Sequence, residues 1–352
     1  MPNGRITPQE GLLCLINKME ISVDLLGWYD ENRRSLPWRG SRDPYVIWLS
    51  EIIFQQTRIG QGTAYFLRFM ERFPNVASLA SATEDEVLRI WQGLGYYSRA
   101  RNLMQTAREI LADHDGKFPA DFSRITAFKG IGDYTASCIT SICFHQPHAA
   151  VDGNVFRVLS RLFADPTPIN TGAGKKRFKE LAQSLITPER PGDFNEAMMD
   201  LGAMVCLPRN PDCPACPLKT LCKARIADQV GGYPVKTASH PRSLRSMNYL
   251  LAQSEDRILV RKRTEPGIWK GLYELPNALS SMPGAEPVSR VVHPLSHADL
   301  DIRFYKTDEP DACIAGEADL IWIEIKKISQ YPFPKPLADF LTGFFSGHNT
   351  KV

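Results

Sequence analysis

The chain has 352 residues, which at roughly 100–200 residues per domain is enough for about two domains. Hydrophobic residues make up 43% and charged residues 23%, an ordinary mix that excludes a wholly disordered or collagen-like chain. The formal net charge of +3 is too small to argue for nucleic acid by itself.

Met1 to Glu20 lacks a basic start followed by a long apolar core, so no secretory signal is expected. No uncharged apolar run reaches the ~18 residues that span a bilayer. The expected address is the cytoplasm, nucleoid-associated if the partner is DNA, with no membrane.

Residues 1 to about 227 read as almost wholly helical. Apolar residues recur at three-and-four spacing in many segments. Val87, Leu88, Ile90 and Trp91 share one helical face, and Thr83 with Glu86 predicts a capping box at its start. Gly93 and Gly95 end that helix, and a second is predicted from Ser98 to about His114. Pro74, Pro119, Pro147, Pro166 and Pro188 fall at intervals that suit helices of ordinary length.

Two glycines in Phe128-Lys129-Gly130-Ile131-Gly132-Asp133-Tyr134 allow a tight hairpin between two helices. The Gly130 and Gly132 N–H groups would then face outward near a helix N-terminus, where a phosphate can bind. Asp152, in Val151-Asp152-Gly153-Asn154, precedes another helical pattern. An Asp there is commonly a cap. Glu51 sits in Trp48-Leu49-Ser50-Glu51-Ile52-Ile53-Phe54, where apolar neighbours invite burial. Burial raises a carboxyl pKa and prepares a general acid. The bland alternative is a Glu on the wet face of an amphipathic helix.

Of eight cysteines, Cys14, Cys138, Cys143 and Cys313 are scattered and read as small hydrophobes. The others crowd into seventeen residues as Cys206-x6-Cys213-x2-Cys216-x5-Cys222. Without an export signal such a cluster reads as a metal site before a disulfide framework. Four thiolates can hold Zn or a 4Fe–4S cluster. Pro208, Pro211, Pro214 and Pro217 keep the loop extended.

After Cys222 the character changes. Residues 228–245, with Gly231-Gly232-Tyr233-Pro234, read as a linker. Tyr249–Ala252 and Ile258–Val260 flank polar Ser254-Glu255-Asp256 in a hairpin pattern. Leu300–Tyr305 and Leu320–Ile325 alternate, and Leu337–Phe345 reads as a closing helix.

Taken together, the hairpin, the acid loop and the cysteine spacing resemble the iron–sulfur branch of the endonuclease III superfamily of helix–hairpin–helix DNA glycosylases. Leu36-Pro37-Trp38-Arg39, Trp48 to Thr57, Gly93 to Asn102 and Asn195 to Ala203 look like the MutY family of adenine DNA glycosylases. The resemblance runs from about Leu25 to the end, dense to residue 225 and thin afterwards. It implies a multi-domain chain: an all-α helix–hairpin–helix glycosylase domain over 1–227 with a 4Fe–4S loop at 206–222, then a small α+β Nudix-like domain over 246–352 that reads 8-oxoguanine. It implies one 4Fe–4S cluster on Cys206, Cys213, Cys216 and Cys222. The implied partner is double-stranded DNA with adenine opposite 8-oxoguanine or guanine, bound by a monomer.

The resemblance also implies roles. Glu51 would protonate adenine at N7, and Asp152 would stabilise the oxocarbenium-like sugar. Tyr134 and Asn154 would assist them. Arg39 and Phe54 would contact the flipped adenine. Gln56, Thr57, Leu94 and Tyr96 would lie beside the lesion, which Ser296 and His297 would read. Two departures stand out: Phe128-Lys129 replaces Leu-Pro in the hairpin, and Leu295 replaces an aromatic before Ser296. Tyr134 stands where bifunctional relatives carry a Schiff-base Lys, so a monofunctional enzyme is expected. Asn277–Gly284 lacks the carboxylates of a Nudix catalytic box, so nucleotide hydrolysis is not expected. The competing readings are an endonuclease III-like glycosylase and lyase for damaged pyrimidines, and a non-enzymatic iron–sulfur DNA-binding protein.

Overall fold

The computed structural model describes residues 8–238, 242–277, 286–295, 298–307 and 319–346, with side chains from Lys18 onward. Ser296, His297 and residues 278–284 of the missing Nudix box lie outside the described residues. The chain packs as two compact units. One takes in Met1–Met70 and Glu109–Ala238, the other Glu71–Arg108 and Ser239–Val352.

The first unit is helical. Its elements are α1 (Pro8–Asn32), α2 (Pro44–Phe54), α3 (Ile59–Arg72, whose last two residues belong to the other unit), α7 (Phe122–Ala127), α8 (Asp133–Cys143), α9 (Gly153–Phe163), α10 (Gly172–Leu185), α11 (Pro191–Met204) and the short α12 (Lys223–Ile226). Leu25, Tyr29, Leu159, Phe178, Phe194 and Leu201 are buried together, so α1, α9, α10 and α11 share one core. A second apolar region forms where α2 packs on α8. Trp48 is buried there, its ring 5.3 Å from that of Phe118. The stretch read as a linker stays docked on this unit through Thr237. Val235 O accepts from Ile169 N at 3.0 Å, and Thr237 N donates to Asn170 Oδ1 at 2.9 Å.

Helix starts follow local chemistry. Asp43 caps α2 by accepting from Tyr45 N at 2.9 Å, with Pro44 at the first helical position. Between α7 and α8 the chain reverses at Gly130, whose φ of +83° a side chain would strain. Gly132 then starts α8. Ile131 is buried in this hairpin while Gly130 and Gly132 are exposed.

The second unit combines α4 (Val76–Ala80), α5 (Glu84–Trp91) and most of α6 (Ser98–Asp113) with the C-terminal sheet. The predicted capping box is present, with Thr83 Oγ1 accepting from Glu86 N at 3.3 Å and Thr83 N donating to Glu86 Oε2 at 2.9 Å. The sheet holds β1 (Ser243–Ser254), β2 (Arg257–Lys262), β3 (Tyr273–Glu274), β4 (Ser289–Pro294), β5 (Ala298–Thr307) and β6 (Leu320–Glu324). The order is β3-β2-β1-β5-β4, with β6 also paired to β2. β1 and β5 run parallel from Ser243 opposite Ala298 to Ala252 opposite Thr307. β1 and β2 make the predicted hairpin, with Ser254 opposite Arg257. The closing helix is α13 (Lys335–Ser346), and the Phe340 ring stacks on Phe304 of β5 at 3.8 Å. Within this unit the helices are tied to the sheet. Lys262 Nζ lies 2.6 Å from Asp85 Oδ1, and Tyr273 donates its hydroxyl to Asp85 at 3.2 Å.

Candidate active site

α2 is apolar on nearly all sides, so its burial is not that of an amphipathic surface helix. Tyr45, Ile47, Trp48, Leu49, Ser50, Ile52 and Ile53 are all buried. Glu51 is the charged residue among them, and it points into a cavity of about 940 Å³ in the helical unit. Tyr134 and Cys138, four residues apart on α8, both face its carboxyl at hydrogen-bonding reach. Burial pushes the Glu51 carboxyl up to about 7, with the nearby Asp152 and Glu196 charges adding to the rise. The Tyr134 and Cys138 donors act the other way.

Asp152 lines the same cavity from the start of α9. It is a helix cap: Oδ1 accepts from Asn154 N and Val155 N, both at 2.8 Å. The cap leaves Oδ2 for the Asn154 side-chain amide, also at 2.8 Å. Capping and facing the cavity are thus compatible in one carboxylate. Burial lifts the Asp152 pKa, and the donors from Val155 and Asn154 hold the rise down.

The loop before Asp152 is fixed by a residue the motifs did not single out for a role. Asn195, buried on α11, donates to Ser141 Oγ at 2.9 Å and His148 O at 2.8 Å, and accepts from Ala150 N at 2.8 Å. Gly202 on α11 permits the next contact. A Cβ there would stand 2.6 Å from the Asn154 Cβ, so only glycine lets the helix close on Asn154.

A second wall carries a charge network. Arg39 lies 2.7 Å from Glu196 and 2.9 Å from Asp200. Arg34 reaches Asp200 at 2.6 Å, and the Tyr29 hydroxyl donates to Glu196 at 2.5 Å. Asp200 is fully buried. Arg39 Nε, also buried, has no hydrogen-bond partner among the described residues and belongs to a residue that lines the cavity. Trp38 and Phe54 form an aromatic wall, with ring centroids 4.3 Å apart.

One cavity therefore brings together Glu51, Asp152, Tyr134, Asn154, Arg39, Phe54, Gln56, Thr57 and Gly132. Gln56 is exposed, with φ +58° in the turn after α2. Leu94 and Tyr96 line a different cavity, of about 600 Å³, within the second unit. Trp269, His293 and Leu295 line it with them, and Tyr96 is 46% exposed. Glu196, Asp200 and Tyr29 were not singled out in the sequence. Glu196 and Asp200 fall within the Asn195–Ala203 segment that carries the family resemblance, but that segment gave them no role.

All four clustered cysteines, Cys206, Cys213, Cys216 and Cys222, line one small cavity of about 30 Å³ and none is in a disulfide. Val158, Leu162, Leu201, Val205 and Leu218 supply its apolar walls. Among the described residues, no group of three or more His, Cys, Asp or Glu side chains is set to hold a single metal ion. Arg161, Lys219 and Arg225 also line it, and Arg161 donates to Cys206 Sγ at 3.3 Å and Leu207 O at 2.7 Å. Four free thiols on one small cavity, with a guanidinium beside them, fit the donor set of a four-thiolate group. No described helix is long and apolar enough to cross a membrane.

Residues 49–188 match the family model of the HhH-GPD superfamily base excision DNA repair proteins, and residues 248–343 match that of the NUDIX domain. The chain is 31% identical to an adenine DNA glycosylase of Buchnera aphidicola (subspecies Schizaphis graminum), covering 91% of this chain and 97% of that one. It is 36% identical to an Arabidopsis thaliana adenine DNA glycosylase over 77% of this chain, but spans only 49% of that protein's length. Among solved structures, a thermostable thymine-DNA glycosylase superposes with a TM-score of 0.56 at 28% identity, over 61% of this chain and 99% of that one. With its helical domain, its C-terminal sheet and a relative matched along nearly its whole length, the chain belongs to the adenine DNA glycosylases, a family of DNA N-glycosylases of base excision repair.

Proposed function

We propose that this protein removes adenine from duplex DNA where it is mispaired with 8-oxoguanine or guanine, without cutting the strand. The observation that carries the reading is that Glu51 and Asp152 line one cavity, Glu51 with its pKa lifted by burial and Asp152 with hydrogen-bond donors on both oxygens. Adenine leaves poorly as an anion. Glu51, with its pKa lifted to about 7, is protonated in acid and near neutrality and can deliver that proton to N7. The glycosidic electron pair then goes to N9. Asp152, whose charged form the donors on its oxygens favour against the burial that raises its pKa, faces the positive charge that grows at C1′. Water supplies the hydroxyl that ends on C1′. Two acids with separated roles are the general answer to glycosidic cleavage.

The Trp38–Phe54 wall offers a stacking face for an expelled base, and buried Arg39 Nε offers it a donor. Expulsion costs a few kcal/mol, roughly, and least at a mispair. In the same reading, Gly130 and Gly132 offer outward N–H groups to a phosphate. Lesion reading falls to Gln56, Thr57, Leu94, Tyr96, Ser296 and His297. Cys206, Cys213, Cys216 and Cys222 would hold one 4Fe–4S cluster, which would supply a structural tie across the loop. The protein acts as a monomer in the cytoplasm, on the nucleoid.

The test is product analysis on duplexes with one adenine opposite 8-oxoguanine, guanine or thymine. Free adenine should appear from the first two, fastest with 8-oxoguanine, and the strand should break only after alkali. Release of a damaged pyrimidine instead, or strand cleavage keeping pace with base release, would move the assignment to the endonuclease III-like reading.

A further inference from the structure

The cavity that takes the base has an electrostatic problem. Asp152, the carboxylate whose charged form the proposed reaction needs, lines it, and a nucleotide turned into it brings backbone phosphates to its mouth. At 4–6 Å, like charges at a protein surface repel by several kcal/mol, roughly, unless cations intervene.

Four basic residues line the cavity: Arg34, Arg39, Arg58 and Lys175. Two are already committed. Arg34 is held by Asp200, and Arg39 by Asp200 and Glu196. The other two differ. Arg58 and Lys175 are both exposed, and among the described residues neither side chain has an ion-pair partner. They come from separate elements, Arg58 from the turn before α3 and Lys175 from the first turn of α10. On α10, Arg177 pairs with Asp165 at 3.0 Å and Lys179 with Asp133 at 2.6 Å, while Lys176, the remaining basic residue of that helix, does not line the cavity. Lys175 also shares the cavity lining with Gly132, whose exposed amide starts α8.

We propose that Arg58 and Lys175 are a pair of phosphate clamps at the rim of the catalytic cavity, holding the backbone phosphates that flank the expelled nucleotide. The inference rests on the glycosylase reading above. Their charge stays uncompensated in the free protein because its counter-charge belongs to the DNA. Each clamp releases condensed counterions when it engages, so its signature is salt dependence and not sequence preference.

The experiment measures binding of the full chain to a duplex with 2′-fluoro-deoxyadenosine, which resists cleavage, opposite 8-oxoguanine over a range of salt. Native protein, Lys175→Gln, Arg58→Gln, the double variant and Lys326→Gln are compared. Lys326 is an exposed lysine of the second unit that pairs with Glu324 and controls for net charge. Each single change should make the slope of log K against log salt shallower by about 0.9, and the double change by about 1.8. Lys326→Gln should leave the slope at the native value. A double variant with the native slope, a loss in one variant only, or an equal loss in Lys326→Gln overturns the pair. Adenine release from the unmodified duplex is measured alongside. Release by the native chain with unchanged slopes refutes the clamps alone. No release refutes the glycosylase reading, and the clamps with it.

Discussion

The helical unit contains two cavities built on opposite principles. The acid cavity is wide, about 940 Å³, and polar groups project into it from several elements. The cysteine cavity is about 30 Å³ and has apolar walls. The first has room for a ligand that arrives, reacts and leaves. The second suits a group that stays. One helix serves both. α9 begins with Asp152 at the acid cavity, and one and two turns on, Arg157 and Arg161 reach the cysteine loop. Arg157 donates to Asn154 Oδ1 at 2.8 Å, Gly202 O at 2.6 Å and Cys206 O at 2.7 Å. A single guanidinium therefore joins the hydrogen-bond partner of the Asp152 carboxylate to the first cysteine. The contrast teaches that the acid site is set by burial, neighbouring charges and hydrogen bonds to its carboxyls, and that the cysteine loop meets it through the Arg157 guanidinium.

The largest effects should come from the acids. Asp152→Asn and Glu51→Gln should each lower single-turnover adenine release by roughly 10²–10⁴-fold. Asn is nearly as good a cap as Asp, so Asp152→Asn should keep α9 and keep DNA binding. Release at the native rate from either variant would remove that carboxyl from the mechanism and leave the acid cavity a binding pocket.

Next in size is Arg157→Gln, which probes the bridge between the cavities. It strips charged hydrogen bonds from Gly202 O and Cys206 O, a cost of about 3 kcal/mol for buried acceptors left unpaired. The visible absorption expected of the proposed cluster and adenine release should fall together, along with the melting temperature. Full activity in protein that has lost the visible band would separate the two cavities.

How far this was legible in the sequence follows from chain distance. The cysteine cluster spans seventeen residues, so spacing alone exposed it. Asp152 and its cap lie within three residues, and the hairpin glycines within three more. The Tyr29–Glu196 contact joins residues 167 apart, and Arg34–Asp200 joins residues 166 apart. No local pattern encodes such pairs. Glu196 and Asp200 read as ordinary helical acids until α1 and α11 are packed together. The same limit applies to residues 71–108. They continue the helical pattern of the first part, and their grouping with the sheet depends on Asp85 meeting Lys262 and Tyr273. Glu51 was the intermediate case. Its apolar neighbours announced burial, but the cavity it faces is made by α8, α9 and α11.

The smallest effects should be shifts in pH dependence, and they test whether hydrogen bonds tune the acid cavity. Glu51 must carry its proton, so the native rate should fall as pH rises through about 7. Asp152 must be charged, so the rate should also fall in acid, through a pKa raised above the ordinary aspartate value by burial. The result is a bell. The Tyr134 hydroxyl, which donates to Met199 Sδ at 3.2 Å, also lies at hydrogen-bonding reach of Glu51 and favours its charged form. In Tyr134→Phe that donor is gone, Glu51 keeps its proton to higher pH, and the alkaline limb should move up while the acid limb stays. Cys138→Ala removes a lesser donor from the same carboxyl and should move the limb the same way by less. Cys138→Ser replaces a weak thiol donor with a stronger hydroxyl and should move it down. A merely structural role for these residues would lower the rate at every pH and leave both limbs in place. Opposite movement of the alkaline limb in the Ala and Ser variants is therefore the outcome that would tie Cys138 to the proton on Glu51.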